Sequence, residues 1–258
     1  MKRTGAVLIS GLFLLLGCAD NSTEPDSEAA MNVIFLHHST GRSIWEGGVQ
    51  NWIAEYNTEN NTEYVITEIN FPKASPYGWK NYPYDYWNIW VNHAGDEPYV
   101  RESTSDRGLV TRLKSLAKAV RSGDIFKSSG EPTLEILTKD YDMVVWKHCF
   151  PVTNIKQNTG IPDVTSEEKR MENYIVQYEA LKQKMHEFPE TKFLVWTGAA
   201  QVESKATEEE AERARQFADW VKNEWNETGD NIFVWDFHEL ETEGGLYLKP
   251  EYARGQND

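Results

Sequence analysis

The chain has 258 residues, a formal net charge of −15, 40% hydrophobic residues and 12% aromatic residues. This acidity argues against a nucleic acid partner, because a strongly negative surface repels phosphate backbones and the sequence has no basic run. The apolar content is sufficient for one sizeable core and excludes extended disorder over most of the chain.

The N-terminus predicts export. Lys2 and Arg3 precede an apolar stretch over residues 6–16, which is too short for a stable membrane span. A positive start followed by a short apolar run is typical of a signal peptide, which we place at residues 1–17.

The next segment predicts a membrane anchor. Leu15-Leu16-Gly17-Cys18 resembles the bacterial lipobox, which implies that Cys18 is lipidated and that the protein is an exported lipoprotein of the cell envelope. The alternative is an ordinary signal peptide that happens to contain a cysteine. Residues 18–30 are small and polar, and we expect them to form a flexible tether to a domain over residues 31–258.

Short apolar runs separated by helical patterns predict an α/β fold. Each run is typical of a strand buried on both faces of a parallel sheet. The alternation favours a doubly wound, three-layer α/β/α domain with five parallel strands. The predicted strands are residues 32–37, 64–69, 142–148, 192–197 and 231–236.

Two capping-box patterns predict where helices begin. They start at Thr165 and Thr207, and each is followed by apolar residues at helical spacing. Further helices are predicted near residues 49–56 and 109–120.

A serine follows the first predicted strand, at the edge where open α/β sheets bind ligands. The segment His37-His38-Ser39-Thr40-Gly41 resembles the nucleophile block of the SGNH (GDSL-like) hydrolases, although its first residues differ from their Gly-Asp-Ser. The resemblance implies a flavodoxin-like strand order and a nucleophilic Ser39. The alternative is that Ser39 only caps the following helix. Metal binding by His37 and His38 is not expected, because adjacent strand residues point to opposite faces.

The resemblance also implies oxyanion donors and a base. Gly78 and Asn154 are the candidate donors, although Gly78 equally suits a tight turn and Asn154 lies late in its loop. The segment 245–252 resembles the lead-in to the family's Asp-x-x-His block, and Asp258 is the candidate triad aspartate. The family's histidine and closing helix would follow Asp258, so we expect either a fragment or a member without its base.

Two substitutes for missing parts of the triad are weaker alternatives. Asp236 and His238 are a substitute pair for the base and its orienter, although alternate strand residues lie about 6–7 Å apart. Cys149 is the least favoured nucleophile, because burial is the commoner fate of such a cysteine.

An aromatic segment after the second strand predicts a sugar-binding surface. Aromatic faces stack on sugar rings, and packing as a second small core is the alternative. The candidate substrate-binding residues are Trp79, Tyr82, Tyr84 and Trp87.

The implied function is hydrolysis of an ester on a small molecule or glycan through an acyl-enzyme on Ser39. No metal or organic cofactor is implied. The alternatives are a non-catalytic carbohydrate-binding lipoprotein and an acyltransferase on the same scaffold.

Overall fold

Five parallel strands form the central sheet of the computed structural model, which describes residues 30–73, 81–100 and 130–253. The strands are paired in the order β2-β1-β3-β4-β5, and every pairing is parallel. The predicted α/β fold is confirmed, and the strand order is the flavodoxin-like one. The strands are β1 Met31–His37, β2 Tyr64–Asn70, β3 Met143–Lys147, β4 Lys192–Trp196 and β5 Ile232–Trp235.

Helices and short helical turns connect the strands. Single π-helical turns extend α1, α3 and α6, at Trp45–Val49, Asn88–Asn92 and Val221–Trp225. Short 3₁₀ turns lie at Phe150–Thr153 and Glu203–Lys205. The α-helices are α1 Thr40–Ile44, α2 Gln50–Asn60, α3 Pro83–Trp87, α4 Leu134–Asp140, α5 Met171–His186, α6 Glu208–Trp220 and α7 Phe237–Thr242.

Side chains of the sheet alternate between two buried faces, because successive strand residues point to opposite sides. Ile34 and Trp146 lie on the face packed against α3, α4, α5 and α6. Phe35 and Val145 lie on the opposite face, where Phe237 of α7 completes the cluster. Residues of α2 pack beside Tyr64 on this second side. The arrangement is therefore three-layered.

A local sequence signal defines the start of one predicted helix. The Thr207 hydroxyl accepts a hydrogen bond from Glu210 N at 3.3 Å, and the Glu210 carboxylate accepts one from Thr207 N at 3.1 Å. This capping box confirms the predicted start of α6. The helix predicted near residues 49–56 corresponds to α2. The helix predicted near residues 109–120 lies outside the described residues.

The predicted helix start at Thr165 is wrong, because α5 begins six residues later at Met171. Both the backbone N–H and the hydroxyl of Thr165 donate to Asp163 Oδ1, at 2.8 and 2.7 Å. The threonine hydroxyl is therefore bonded within a local turn and does not cap a helix. The apolar stripe predicted for this helix is buried, including Tyr174, Leu181 and Met185.

Candidate functional site

The connections of the sheet change direction between β1 and β3. The chain first adds β2 on one side of β1 and then crosses to β3 on the other side. Ligands in doubly wound sheets bind at such a switch point, outside the carboxyl ends of the strands. Ser39 follows β1 and Lys147 ends β3, so both lie at this edge.

Ser39 has a strained backbone and an exposed side chain. Its φ of 33° and ψ of −93° are unusual for a residue other than glycine. Although Ser39 occupies the N-cap position of α1, its side chain makes no capping hydrogen bond. The hydroxyl is thus presented on a sharp strand-to-helix turn, the arrangement in which α/β-hydrolases hold their nucleophilic serine. The structure does not support the alternative that this hydroxyl serves as a helix cap.

Gly41 allows this turn to lie directly against β1. A Cβ atom at Gly41 would lie 2.3 Å from His37 Cβ and 2.4 Å from His37 Cγ. Those atoms lie close to the strand backbone and cannot move away easily. The glycine that follows Ser39 by two residues is therefore required by packing.

A buried amine lies directly beneath the turn. The Lys147 side chain is fully buried, and its Nζ donates a hydrogen bond to Thr40 Oγ1 at 2.7 Å. Burial lowers the pKa of Lys147 below its ordinary value of 10.5. Burial also raises the pKa of Glu241, which interacts electrostatically with Lys147, to about 8. Both shifts favour the uncharged forms of this pair.

Cys149 lies beside the same hydroxyl. Its Sγ atom is 3.6 Å from Thr40 Oγ1, and its side chain is fully buried. The thiol therefore faces the interior, whereas Ser39 faces solvent.

Asn81 connects the loop after β2 to the loop after β3. Its Nδ2 group donates to Phe71 O at 2.8 Å, and its Oδ1 accepts from the backbone N–H of Cys149. The Tyr86 hydroxyl lies 3.2 Å from Asn81 Nδ2 and donates to Lys147 O at 2.8 Å. Asn81 is itself fully buried, so these bonds fix the carboxyl end of β3 against the loop after β2.

The two histidines before Ser39 are buried and uncharged. Burial is the main reason that the pKa of His37 falls to about 3 and that of His38 to about 4. His38 Nε2 is hydrogen-bonded to the carbonyl of Pro72, and this nitrogen must carry the hydrogen because a carbonyl only accepts. His37 Nε2 lies 2.8 Å from Glu68 Oε1. Within the described ranges, no group of three or more His, Cys, Asp or Glu side chains could hold a metal ion.

The substitute pair Asp236 and His238 is not joined by a hydrogen bond. Asp236 caps α7 through Glu239 N at 3.1 Å and accepts from Lys222 Nζ at 2.7 Å. The His238 side chain is buried. Both residues follow β5, three strands from β1, or about 14 Å at the usual strand spacing.

The structure describes one of the two predicted oxyanion donors. Asn154 is partly buried, and its Oδ1 accepts a hydrogen bond from Gln201 Nε2 in the loop after β4. This contact ties Asn154 to the loop after β4. Gly78 lies outside the described residues, as do Cys18, Trp79 and Asp258.

Two of the predicted substrate-binding aromatic residues are part of the core. Tyr82 and Trp87 are buried in the cluster on the α5 face, and the Tyr82 hydroxyl donates to Glu167 O at 3.1 Å. Tyr84 is partly exposed, with its ring centroid 5.6 Å from that of Trp87. The packing alternative therefore describes Tyr82 and Trp87, and Tyr84 is the described candidate with an accessible surface.

A groove lies at the same edge of the sheet on the side of β4 and β5. Its volume is about 950 Å³, and its lining includes Glu203, Lys205, Tyr247 and Lys249. The segment that resembles the family's C-terminal lead-in therefore forms one wall of this groove. Ser39 is not among the lining residues.

Four residues at this edge of the sheet were not predicted from the sequence to belong to the site: Lys147, Thr40, Asn81 and Glu241. One signal was available for Lys147, since a lysine ends an otherwise apolar strand, Met143–Lys147. Such a residue is rarely buried without a polar partner.

No family model matches the chain, and no curated protein matches it. Among solved structures, the chain is similar to a gut microbial diltiazem-metabolizing enzyme, with a TM-score of 0.40 and 12% sequence identity. The match covers 88% of this chain but 42% of that chain, so this chain spans less than half of the matched structure. A likeness at this level says nothing about activity. None of the described helices is long and apolar enough to cross a membrane.

Proposed function

We propose that the protein is a serine ester hydrolase that forms an acyl-enzyme on Ser39. This proposal rests on the turn after β1. The Ser39 side chain is exposed and makes no capping hydrogen bond. Its backbone is strained, and it lies at the switch point of the sheet. The SGNH-like motif around Ser39 supports the same assignment.

In the proposed reaction, Ser39 Oγ attacks the carbonyl carbon of the ester while a base accepts its proton. The tetrahedral intermediate then expels the alcohol, whose oxygen receives that proton, and water hydrolyses the acyl-enzyme. Gly78 and Asn154 are the proposed donors to the oxyanion.

We further propose that the substrate is an O-acyl group on a carbohydrate. Tyr84 and Trp79 are the aromatic candidates for stacking on a sugar ring. The net charge of −15 favours a neutral substrate over an anionic one.

A fluorophosphonate probe tests the nucleophile, because it forms a covalent adduct with activated serines. We expect labelling of the full chain to map to Ser39 and to disappear in Ser39→Ala. Ser43→Ala is the matched control, since Ser43 lies one helical turn further along α1 and should leave labelling unchanged. A folded wild-type protein without an adduct at Ser39 would contradict the hydrolase and favour the carbohydrate-binding alternative.

Anchoring through Cys18 is a separate proposal. When the gene is expressed in a bacterial host, we expect radiolabelled palmitate to enter the wild-type protein, which should fractionate with membranes. Cys18→Ser should lose both properties. Equal membrane association of the two proteins would refute lipidation at Cys18.

A further inference from the structure

The buried amine of Lys147 needs an explanation beyond folding. Lysine is almost never fully buried unless it is paired, and no carboxylate of the described residues forms an ion pair with Nζ. Its hydrogen-bond partner is the Thr40 hydroxyl at 2.7 Å. Thr40 directly follows Ser39 in the strained turn.

We infer that Lys147 is the proton acceptor for Ser39 and that the Thr40 hydroxyl relays the proton between them. This inference rests on the proposed hydrolase function. It deepens that function by assigning the base to a residue of β3, on the strand adjacent to β1.

The chemistry of the three groups suits a relay. A hydroxyl can donate one hydrogen bond and accept two. In the structure Lys147 Nζ donates to Thr40 Oγ1, so the relay requires the uncharged amine to turn its lone pair toward the Thr40 hydroxyl, which then donates to Lys147 and accepts from Ser39. An uncharged amine has the lone pair that is needed to accept the proton. Burial favours the uncharged amine at Lys147, and perturbed lysines of this kind serve as bases in other enzymes.

Burial is the largest influence on the pKa of Lys147 and favours its uncharged amine. Glu241 faces it from α7 and is itself held toward its protonated form by burial. The electrostatic effects of Cys149 and Glu241 raise the pKa of Lys147, but they are smaller than the effect of burial. Among the described residues, the other titratable groups that interact electrostatically with Lys147 are the imidazoles of His37, His38 and His148, whose pKa values lie at about 3 to 4, so they are neutral at pH 7.

The proton balance of the acylation step is complete within these residues. As Ser39 Oγ bonds to the carbonyl carbon, its proton passes to Thr40 Oγ1 and the Thr40 proton passes to Lys147 Nζ. When the intermediate collapses, the bond to the alcohol oxygen breaks, Lys147 returns a proton to Thr40 Oγ1, and the Thr40 proton passes directly to the alcohol oxygen. Water uses the relay in the same way to release the acid from Ser39.

A matched pair of Thr40 variants tests the relay. Thr40→Ser keeps the hydroxyl and should retain most of the rate of p-nitrophenyl acetate hydrolysis. Thr40→Val keeps the size and should lose about 10²–10⁴-fold in kcat, the usual contribution of general-base catalysis. Equal loss in both variants, or no loss in Thr40→Val, would overturn the relay.

Rescue of Lys147→Ala by small amines separates a proton acceptor from a structural residue. We expect methylamine and weaker amines to restore hydrolysis, with the acid limb of the rate-against-pH profile following the pKa of the added amine. Rescue that is independent of amine pKa would overturn the assignment. If Lys147→Ala does not fold, as judged by circular dichroism, the Thr40 pair decides the question.

The two proposals fail in different ways. Full activity of Ser39→Ala would remove the hydrolase proposal and the relay together. Loss of activity in Ser39→Ala, with normal activity in Thr40→Val and Lys147→Met, would remove the relay alone. A probe adduct that maps to Thr40 would show that Thr40 is the nucleophile, and would therefore overturn the relay.

Discussion

At the turn after β1, small differences between neighbouring side chains determine what each can do. Ser39 is exposed, Thr40 reaches the buried amine of Lys147, and Gly41 is in contact with His37. The proposed roles therefore need an exposed hydroxyl at position 39 and a hydrogen-bonded hydroxyl at position 40. The packing at position 41 needs a residue without a side chain.

Gly41→Ala should destabilise the protein, because its Cβ would lie 2.3 Å from His37 Cβ. We expect a loss of about 1–3 kcal/mol in the free energy of unfolding, as for other overpacked sites. Urea denaturation followed by circular dichroism measures this change.

Gly47→Ala is the matched control. It lies in the following π-helical turn, and a Cβ there meets nothing within 4 Å. We expect this variant to be neutral or slightly stabilising, because alanine favours helical backbone. Equal destabilisation by both substitutions would show that the close contact with His37 is not the cause.

At the scale of elements, one carboxylate organises the segment between the Phe150–Thr153 turn and α5. Glu172 in the first turn of α5 accepts hydrogen bonds from Thr159 N at 2.6 Å, Thr159 Oγ1 at 2.7 Å and Gly160 N at 2.7 Å. Backbone donation from Thr159 is the main cause that lowers the pKa of Glu172 below its ordinary value of 4.5. These hydrogen bonds therefore hold residues 159–160 against the first turn of α5.

Glu172→Gln should loosen this segment. We expect amide hydrogen exchange at Thr159 and Gly160 to become several-fold faster, because a neutral amide is a weaker acceptor than a carboxylate. Glu179→Gln, two turns further along α5, is the control and should leave both amides protected.

Acid should abolish the difference between wild-type and Glu172→Gln. A lowered pKa stabilises the fold above the unfolded value of 4.5, and this stabilisation is lost as the pH falls through the folded value below it. Slow exchange at Thr159 in Glu172→Gln at neutral pH would contradict the role of the carboxylate.

At the scale of the whole molecule, buried histidines make folding sensitive to acid. Burial lowers the pKa of His148 to about 3, and its ring lies among those of Tyr86, Trp146 and Tyr178. A histidine with a lowered folded pKa binds its proton more readily in the unfolded chain. Stability is therefore present above the unfolded pKa of 6.5 and is lost as the pH falls from 6.5 toward 3.

His148→Phe should reduce this pH dependence. Each such histidine contributes a slope of about 1.4 kcal/mol per pH unit between its unfolded and folded pKa values, and the variant should lose one such contribution. Urea denaturation between pH 4 and 7 measures the slope. Tyr178→Phe, in the same cluster, removes a hydroxyl that does not titrate in this range and should keep the wild-type slope. An unchanged slope in His148→Phe would refute burial of a neutral imidazole.

The fold was predictable because its signals are local. Strands buried on both faces leave continuous apolar runs, and the Thr207 capping box lies within four residues. The Thr165 pattern failed because Asp163, two residues earlier, bonds the same hydroxyl.

The site was only partly predictable. Ser39 could be placed because it follows a strand, at an edge defined by topology. The contact between Lys147 and Thr40 joins residues 107 positions apart, and neither residue alone indicates the other. Burial of Tyr82 and Trp87 could not be predicted either, since an aromatic residue suits both a hydrophobic core and a sugar-binding site.

The burial of the aromatic segment after β2 limits how access to Ser39 could be controlled. Tyr82, Tyr86, Trp87 and Trp90 are core residues, and Trp90 Nε1 donates to Pro132 O at 3.2 Å. Swinging residues 82–90 outward as a lid would expose all four rings to water, at a cost of about 1.5–3 kcal/mol for each. This part of the chain is therefore fixed in place, and the proposed substrate would have to reach Ser39 without displacing it.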